Sequence, residues 1–411
     1  MKYGLIGEKL GHSFSREIHE KLGRYEYELK ELRPDELESF IKATDFEGIN
    51  VTIPYKETVI PYLDELDELA ETVGAVNTIV NKGGRLIGYN TDVGGMELLT
   101  GRLGVDMKGK TVLIAGSGGT SKTALALAKK LGAAKAVRVS RSGREDAVTY
   151  EQAYADYKDA EILINTTPLG MYPEVDSAAF DIDAFNHIEG VIDAVYNPLR
   201  SKLVRAARER GIPAEGGLYM LVAQAMLAAE MFTGEPVASS DTDSIYDEIL
   251  RDKSNLVLIG MPGSGKTSYG SILADKFGRE IIETDDEVVK AAGMDISEIF
   301  ERYGENHFRD LESDVIKKAS LEGSKIISTG GGAVLRKENV DALSMNGILI
   351  FLNRPLEELI PTEDRPLAND REKIKALYDE RLPIYMAAAD AVVDLTGWDE
   401  ADADKIWRAA L

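Results

Sequence analysis

Residues 260–267 read Gly260-Met261-Pro262-Gly263-Ser264-Gly265-Lys266-Thr267, a complete GxxxxGK[ST] pattern between an apolar run and a helical stretch. In such a turn the backbone N–H groups at a helix N-terminus cradle phosphates. The pattern predicts that Lys266 reaches the β- and γ-phosphate oxygens and that the Thr267 hydroxyl ligates Mg²⁺. ATP or GTP is the expected ligand. A second glycine turn, Gly116-Ser117-Gly118-Gly119-Thr120-Ser121, follows the apolar run Thr111–Ala115. It departs from GxGxxG because Ser121 stands where the third glycine belongs. The next strand candidate ends in Ser140 and Arg141, with Arg144 close behind. A site for NAD would place an acid there for the ribose 2′-hydroxyl, whereas arginine and hydroxyls suit a 2′-phosphate. NADP(H) is therefore the expected cofactor of this turn.

Beyond the first of these loops, five more segments follow in order: Ile281-Ile282-Glu283-Thr284-Asp285, Phe308-Arg309 with Glu312, Gly330-Gly331-Gly332-Ala333, Arg365-Pro366-Leu367, and Arg381-Leu382-Pro383-Ile384-Tyr385. Singly they are ordinary: Arg309 and Glu312 have the i,i+3 spacing of a surface pair, and a glycine triplet is a turn. As an ordered set they resemble shikimate kinase over residues 254–411. The resemblance implies a nucleoside-monophosphate-kinase-like P-loop fold using MgATP. It implies that Asp285 holds the substrate diol and that Arg309 and Arg381 grip its carboxylate. Gly330, Gly331 and Gly332 would let the ring approach the backbone, and Arg365 would lie over the phosphates. Glu283, with Thr267, would serve the metal, although the family carries aspartate at this place. Guanidinium forks suit carboxylate capture on an acidic protein.

The first 235 residues carry seven ordered motifs. They are Gly11-His12-Ser13-Phe14-Ser15, Asn50-Val51-Thr52-Ile53-Pro54-Tyr55-Lys56, Gly74-Ala75-Val76-Asn77-Thr78, Gly88-Tyr89-Asn90-Thr91-Asp92, Asn165-Thr166-Thr167-Pro168-Leu169-Gly170-Met171, Asp193-Ala194-Val195-Tyr196-Asn197-Pro198 and the segment from Gly217 to Gln224. These resemble shikimate dehydrogenase, with Arg16 where that family usually has proline. The resemblance implies that Ser13, Ser15, Thr52, Asn77, Tyr196 and Gln224 hold the substrate hydroxyls and carboxylate. Lys56 and Asp92 would form the catalytic dyad. Thr166, Met171 and Gly217 would join Gly116, Ser117, Gly118, Gly119, Thr120, Ser140, Arg141 and Arg144 around NADP. Hydride reduction of a ketone puts negative charge on oxygen, so a proton donor must stand within hydrogen-bond reach. Without the surrounding motifs, Lys56 reads as a solvated lysine opening a helix and Asp92 as a helix cap.

The elements that must position these residues alternate short apolar runs with helical periods, an α/β pattern with parallel sheets. Strands are expected near Lys2–Ile6, Glu26–Glu31, Gly48–Ile53, Thr111–Ala115, Val137–Ser140, Ile162–Asn165, Val191–Ala194 and Leu256–Ile259. Helices are expected over Asp35–Thr44, Lys56–Leu69 and Tyr219–Phe232. The 411 residues thus divide into a substrate-binding domain (1–100), a Rossmann-like NADP domain (101–235), an acidic linker (236–253), flexible but with room for a short helix, and a P-loop kinase domain (254–411). With 48 Lys+Arg against 71 Asp+Glu the net charge is −23, which repels nucleic acid and anionic membranes. No cysteine is present, so disulfides, thiolate catalysis and Cys-based zinc sites are excluded. The start leads straight into a strand with no targeting pattern, and Tyr219–Phe232 is short for a membrane span. The cytoplasm is the expected compartment.

Taken together, the two resemblances predict reduction of 3-dehydroshikimate to shikimate with NADPH, then phosphorylation of shikimate. Small-molecule substrates are the expected partners, and a homo-oligomer is compatible with the sequence. Three rivals are an NAD-linked quinate/shikimate dehydrogenase joined to another kinase, a sensor built from the same folds, and a chain with an inactive kinase, which Glu283 motivates. Arg141 argues against the first. Retention of Lys56, Asp92, Lys266 and Asp285, without a basic DNA-binding segment, argues against the second.

Overall fold

A computed structural model describes residues 1–11, 13–143, 146–359 and 371–410. It divides into two compact units, Met1–Ile249 and Leu250–Leu411.

Unit 1 contains two sheets. The first has strands β1 (Tyr3–Gly7), β2 (Glu28–Glu31), β3 (Gly48–Val51), β4 (Glu65–Leu66), β5 (Thr78–Lys82) and β6 (Arg85–Tyr89) in the order β2-β1-β3-β5-β6-β4. β1 pairs in parallel with β2 and β3, and the β5–β6 hairpin adds antiparallel to β3. Its core is Ile6, Ile41, Ile49, Val59, Val76 and Ile79, all at or near zero exposure. The second sheet has β7 (Thr111–Ala115), β8 (Lys135–Val139), β9 (Ala147–Val148), β10 (Ile162–Asn165), β11 (Gly190–Asp193) and β12 (Ala214–Glu215). All its pairings are parallel, in the order β12-β11-β10-β7-β8-β9. The near-continuous apolar strands, Val-Leu-Ile in β7 and Ile-Leu-Ile in β10, fit burial on both faces. The order reverses between β7 and β10, and ligands of open α/β sheets bind outside the carboxyl ends of strands at such a switch point.

Unit 2 is a parallel sheet of β13 (Asn255–Ile259), β14 (Ile281–Glu283), β15 (Ile326–Ser328), β16 (Gly347–Asn353) and β17 (Ala391–Asp394), ordered β14-β15-β13-β16-β17. Every residue of the central β13 is buried, and the GxxxxGKT loop leaves its carboxyl end to open the helix Lys266–Phe277.

Two expectations are corrected. The helix expected over Lys56–Leu69 is a series of turns, a 3₁₀ turn at Ile60–Tyr62 and the short β4, and the helix begins only at Glu68. Pro61 lacks the N–H a helix interior needs, and the Asp67 carboxylate caps the Ala70 N–H at 2.9 Å. The flexible linker is also replaced by structure, because Ser239–Lys253 is a 15-residue helix. Thr242, Ile245, Tyr246 and Ile249 bury one stripe at i, i+3, i+4, i+7. Within unit 1, Arg102 stacks on the rings of Tyr219 and Tyr246 and pairs with Asp243 at 2.8 Å. The polar composition belongs to the outer face of that helix. Among the described residues no helix is long and apolar enough to cross a membrane.

Candidate active sites

In unit 1 a cleft of about 300 Å³ is lined by Ser13, Ser15, Thr52, Lys56, Asn77, Asp92, Tyr196 and Gln224, together with Thr120 and Gly217. All eight residues expected at the dyad and the substrate are thus brought together from loops and helix starts far apart in sequence. Lys56 Nζ donates to Asp92 Oδ2 at 2.6 Å. The other carboxylate oxygen accepts from Asn77 Nδ2 at 2.9 Å, and Asn77 Oδ1 accepts the Thr91 N–H at 2.8 Å. That second bond fixes which end of the Asn77 amide faces Asp92. Asp92 is not the helix cap: Asn90 caps Thr91–Leu103 through the Val93 N–H, leaving Asp92 in the first turn at 7% exposure. Gln224 enters from the helix Leu218–Thr233, its Oε1 3.4 Å from Asn77 Nδ2. Ser13 donates to Ser15 at 3.1 Å. Burial raises the Tyr196 phenol above its ordinary value, keeping it a neutral hydrogen-bonding group.

The second glycine turn sits at the switch point. Gly116 has φ +125°, and a Cβ there would lie 2.4 Å from Thr166 Oγ1, so the β7 and β10 turns meet without room for a side chain. Ser117 is exposed, and Gly118 and Gly119 open the helix Gly119–Lys130. Ser121, in the third glycine's place, is wholly buried, and its hydroxyl donates to Gly118 O at 2.7 Å. A small residue with its own local partner meets the packing need that glycine usually meets. Ser140 Oγ accepts the Gly143 N–H at 3.1 Å beyond β8, and Arg141 beside it is exposed. Met171 is 44% exposed on the turn after Thr166. Gly217 approaches Ala194 so closely that a Cβ would stand 2.3 Å from its carbonyl oxygen. Arg144 lies outside the described residues, as does His12.

In unit 2 a cleft of about 520 Å³ is lined by the loop from Pro262 to Thr267, Glu283, Asp285, Arg309, Glu312, Gly330, Gly331, Gly332 and Arg381. Gly260 and Met261 stand at its back, accepting from Lys266 Nζ at 2.9 and 3.0 Å, and Ser264 is buried within the loop. Gly263 and Gly265 take φ of +82° and +99°, which turns successive N–H groups inward. Thr267 donates to Glu283 Oε2 at 3.1 Å, while Glu283 Oε1 is buried with no hydrogen-bond partner among the described residues. Burial raises this carboxyl, against the nearby Ser328 and Thr267 hydroxyls. An orphaned carboxylate oxygen beside a hydroxyl fits a hard divalent cation.

Arg309 is not a surface residue: it donates to Glu312 at 2.8 Å and to Glu305 at 3.1 Å, and is 7% exposed. Burial opposes its charge, but those two carboxylates raise its pKa overall. Burial likewise pushes the Glu312 carboxyl up, against Arg309, and Glu312 Oε1 has no hydrogen-bond partner among the described residues. Arg381 donates to Gly331 O at 3.0 Å, and its Nε is buried without an acceptor among the described residues. The glycine triplet is required by close approach. A Cβ at Gly330 would meet Asp285 at 2.5 Å and Glu312 at 2.7 Å, and one at Gly332 would meet the Arg309 guanidinium at 2.2 Å. Arg365 lies outside the described residues.

Four polar groups at these sites escape a sequence reading. Asn50 and Thr91 sit in the quoted motifs and are buried, and their polar side chains at the end of β3 and the start of a helix were the signal. Glu312 was visible only as a spacing partner. Arg354, a buried cation whose Nε donates to Ser264 O at 3.3 Å, gave no signal beyond its place after β16.

Both parts of the chain resemble known proteins. Residues 5–79 match the family model of the shikimate dehydrogenase substrate binding domain, and residues 262–410 match that of shikimate kinase. A shikimate dehydrogenase (NADP(+)) of Clostridium perfringens is 36% identical over 271 residues, covering 60% of this chain and 97% of that protein. One from Halothermothrix orenii is 38% identical over 260 residues, 56% of this chain and 90% of its own length. Among solved structures, a chorismate mutase/shikimate 5-dehydrogenase fusion protein from Clostridium acetobutylicum superposes with TM-score 0.57 at 32% identity, over 60% of this chain and 96% of that one. Shikimate 5-dehydrogenase from Thermus thermophilus, in complex with NADP(H) and shikimate, gives 0.55 at 27%, over 60% and 99%. The chain therefore belongs to the shikimate dehydrogenase family and carries a shikimate kinase domain behind it, two enzymes of one pathway on a single polypeptide.

Proposed function

We propose that unit 1 reduces 3-dehydroshikimate to shikimate with NADPH, and that unit 2 phosphorylates shikimate at its 3-hydroxyl with MgATP. The observation that carries this reading is the Lys56–Asp92 pair, 2.6 Å apart in a cleft whose other polar side chains are hydroxyls, amides and Lys9, beside the apolar Leu10, Val51, Met220 and Leu221. Such a lining matches a small polyhydroxylated carboxylic acid. Ser13, Ser15, Thr52, Asn77, Tyr196 and Gln224 hold it, and no residue there places a second carboxylate against its own except Asp92, which Lys56 and Asn77 occupy.

The dinucleotide bound at Gly116–Thr120, Ser140, Arg141, Thr166, Met171 and Gly217 supplies the hydride. Lys56 protonates the ketone oxygen as charge develops on it, and Asp92 holds the ammonium in place through that transfer. In unit 2, MgATP supplies the phosphoryl group, with Thr267 and Glu283 toward the metal and Gly260–Thr267 around the phosphates. Asp285 accepts from the attacking hydroxyl, and Arg309 and Arg381 fix the carboxylate. The unpartnered Arg381 Nε supports that assignment. Both steps belong to the cytoplasm in this reading.

The test is a pair of separate assays on the purified chain: shikimate-dependent reduction of NADP⁺, and shikimate-dependent formation of ADP. Both are expected. Loss of either, with quinate or another polyol acid turned over instead, overturns the substrate assignment of that unit.

A further inference from the structure

Asp193 ends β11 and has no exposed surface. Taking a carboxylate out of water is costly unless well-placed donors replace its hydration. Burial pushes its carboxyl up to about 6, while the Ser201 hydroxyl, the Val195 N–H and the Asn165 amide pull the other way. It lies outside the Lys56–Asp92 pair and needs another explanation.

Its three donors come from the end of β10 and from the two ends of the loop that follows β11. Asn165 Nδ2, at the end of β10, donates to Oδ1 at 2.8 Å. The Val195 N–H donates to the same oxygen at 2.9 Å, and Ser201 Oγ donates to Oδ2 at 2.5 Å. Each donor leads into chain that faces ligand. Asn165 Oδ1 accepts the N–H and hydroxyl of Thr167 at 2.9 and 2.7 Å, and its Nδ2 also reaches Leu169 O at 3.2 Å. One amide thus folds the turn from Thr166 to Met171. Val195 O accepts the Gly217 N–H at 2.9 Å, and Tyr196 follows directly into the cleft. Ser201 caps the helix Lys202–Arg208 through the Val204 N–H, closing the loop that began at Ala194.

We propose that Asp193 is a positioning residue for the dehydrogenase: its carboxylate locks the Thr166–Met171 turn and the Ala194–Ser201 loop into one register, and thereby sets affinity for both dinucleotide and shikimate. The inference deepens the dehydrogenase reading above and rests on it. Two carboxylate oxygens serve three donors. Asparagine at this position keeps one acceptor oxygen and turns an NH₂ group against a donor, so at least one buried group loses its partner.

The experiment uses the full chain. Asp193→Asn and the milder Ser201→Ala are assayed for shikimate oxidation by NADP⁺ and, as an internal control, for shikimate-dependent ADP formation. In Asp193→Asn, KM for NADP⁺ and for shikimate should each rise roughly tenfold, in keeping with one buried group left unpaired. Ser201→Ala should raise both severalfold, with kcat little changed and the kinase unaffected in either variant. A role confined to stability instead lowers kcat through loss of folded enzyme and leaves both Michaelis constants as in the wild type, and that result overturns the proposal. Should Asp193→Asn fail to fold, the constants of Ser201→Ala decide by the same criterion. Failure of the parent reading shows itself separately, as a wild-type chain that does not oxidise shikimate with NADP⁺.

Discussion

Lys56 Nζ lies 2.6 Å from Asp92 Oδ2 although 36 positions separate them. β3 delivers the lysine through the turn that follows it, and the β6-to-helix junction delivers the aspartate. Asn77, between them in sequence, ties the pair to the sheet through Asp92 Oδ1. Lys56→Ala should lower dehydrogenase kcat by about 10²–10⁴, the range for a lost general acid. Shikimate should still bind, as calorimetry would show, and ADP formation should persist. Retained hydride transfer would remove Lys56 from the chemistry.

Arg141 is exposed beside Ser140 at the carboxyl end of β8, where the adenosine ribose of a dinucleotide at the switch point would lie. Arg141→Ala should raise KM for NADPH by roughly tenfold, the cost of one charge-assisted contact, and leave KM for NADH nearly unchanged. An equal effect on both would refute a 2′-phosphate contact.

Gly332→Ala places a methyl 2.2 Å from the Arg309 guanidinium. Arg309 must then leave the position where Glu312 and Glu305 hold it. KM of the kinase for shikimate should rise at least about tenfold while KM for MgATP changes little. A wild-type KM for shikimate in this variant would show that Arg309 does not hold the substrate.

His19 is fully buried, stacked on Tyr27 at 3.9 Å, with Nδ1 2.8 Å from the Tyr25 hydroxyl. Burial lowers its pKa from 6.5 to about 3, against a smaller opposing pull from Asn50. The unfolded chain therefore binds a proton that the folded one refuses. This group's stabilising contribution is complete above 6.5 and is lost as pH falls toward 3, at up to about 1.4 kcal/mol per pH unit. Urea unfolding of His19→Phe followed by circular dichroism should show a shallower acid decline than the wild type. Unit 2 is tracked separately, because both tryptophans, Trp398 and Trp407, lie there. Parallel pH curves would contradict the assignment.

What the sequence discloses depends on how local each device is. The loop Gly260–Thr267 was fully legible because its phosphate cradle is built from consecutive residues. The glycine triplet was legible as a motif, but its reason was not, since the atoms that forbid a Cβ belong to Asp285, Glu312, Pro262 and Arg309. The polar composition left room only for a short helix in the linker, although the buried residues of the 15-residue helix Ser239–Lys253 keep the i, i+3, i+4, i+7 period. The helix expected from Lys56 failed because carboxylate spacing outweighed Pro61 in the reading. Asp193 was seen only as the head of a motif, since its meaning lies in Asn165, Val195 and Ser201 converging from the end of β10 and the loop after β11.

The same convergence resolves the charge of −23 against a set of anionic ligands. Local cations stand inside each cleft, Lys9 and Lys56 at one and Lys266, Arg309 and Arg381 at the other. The second cleft also holds Glu283, Asp285, Asp286 and Glu312, so individually placed ammonium and guanidinium groups, not the net charge of the cleft, answer the anionic ligands.

The most direct measurement is a coupled assay of the purified chain with 3-dehydroshikimate, NADPH and MgATP, following NADPH, ADP and shikimate 3-phosphate together. One NADPH oxidised and one ADP formed per shikimate 3-phosphate is the predicted result, with Lys266→Ala halting the sequence at shikimate while NADPH oxidation continues. NADPH oxidation with no phosphorylated product from the wild type, or loss of both activities in Lys266→Ala, would contradict two independent and consecutive active sites.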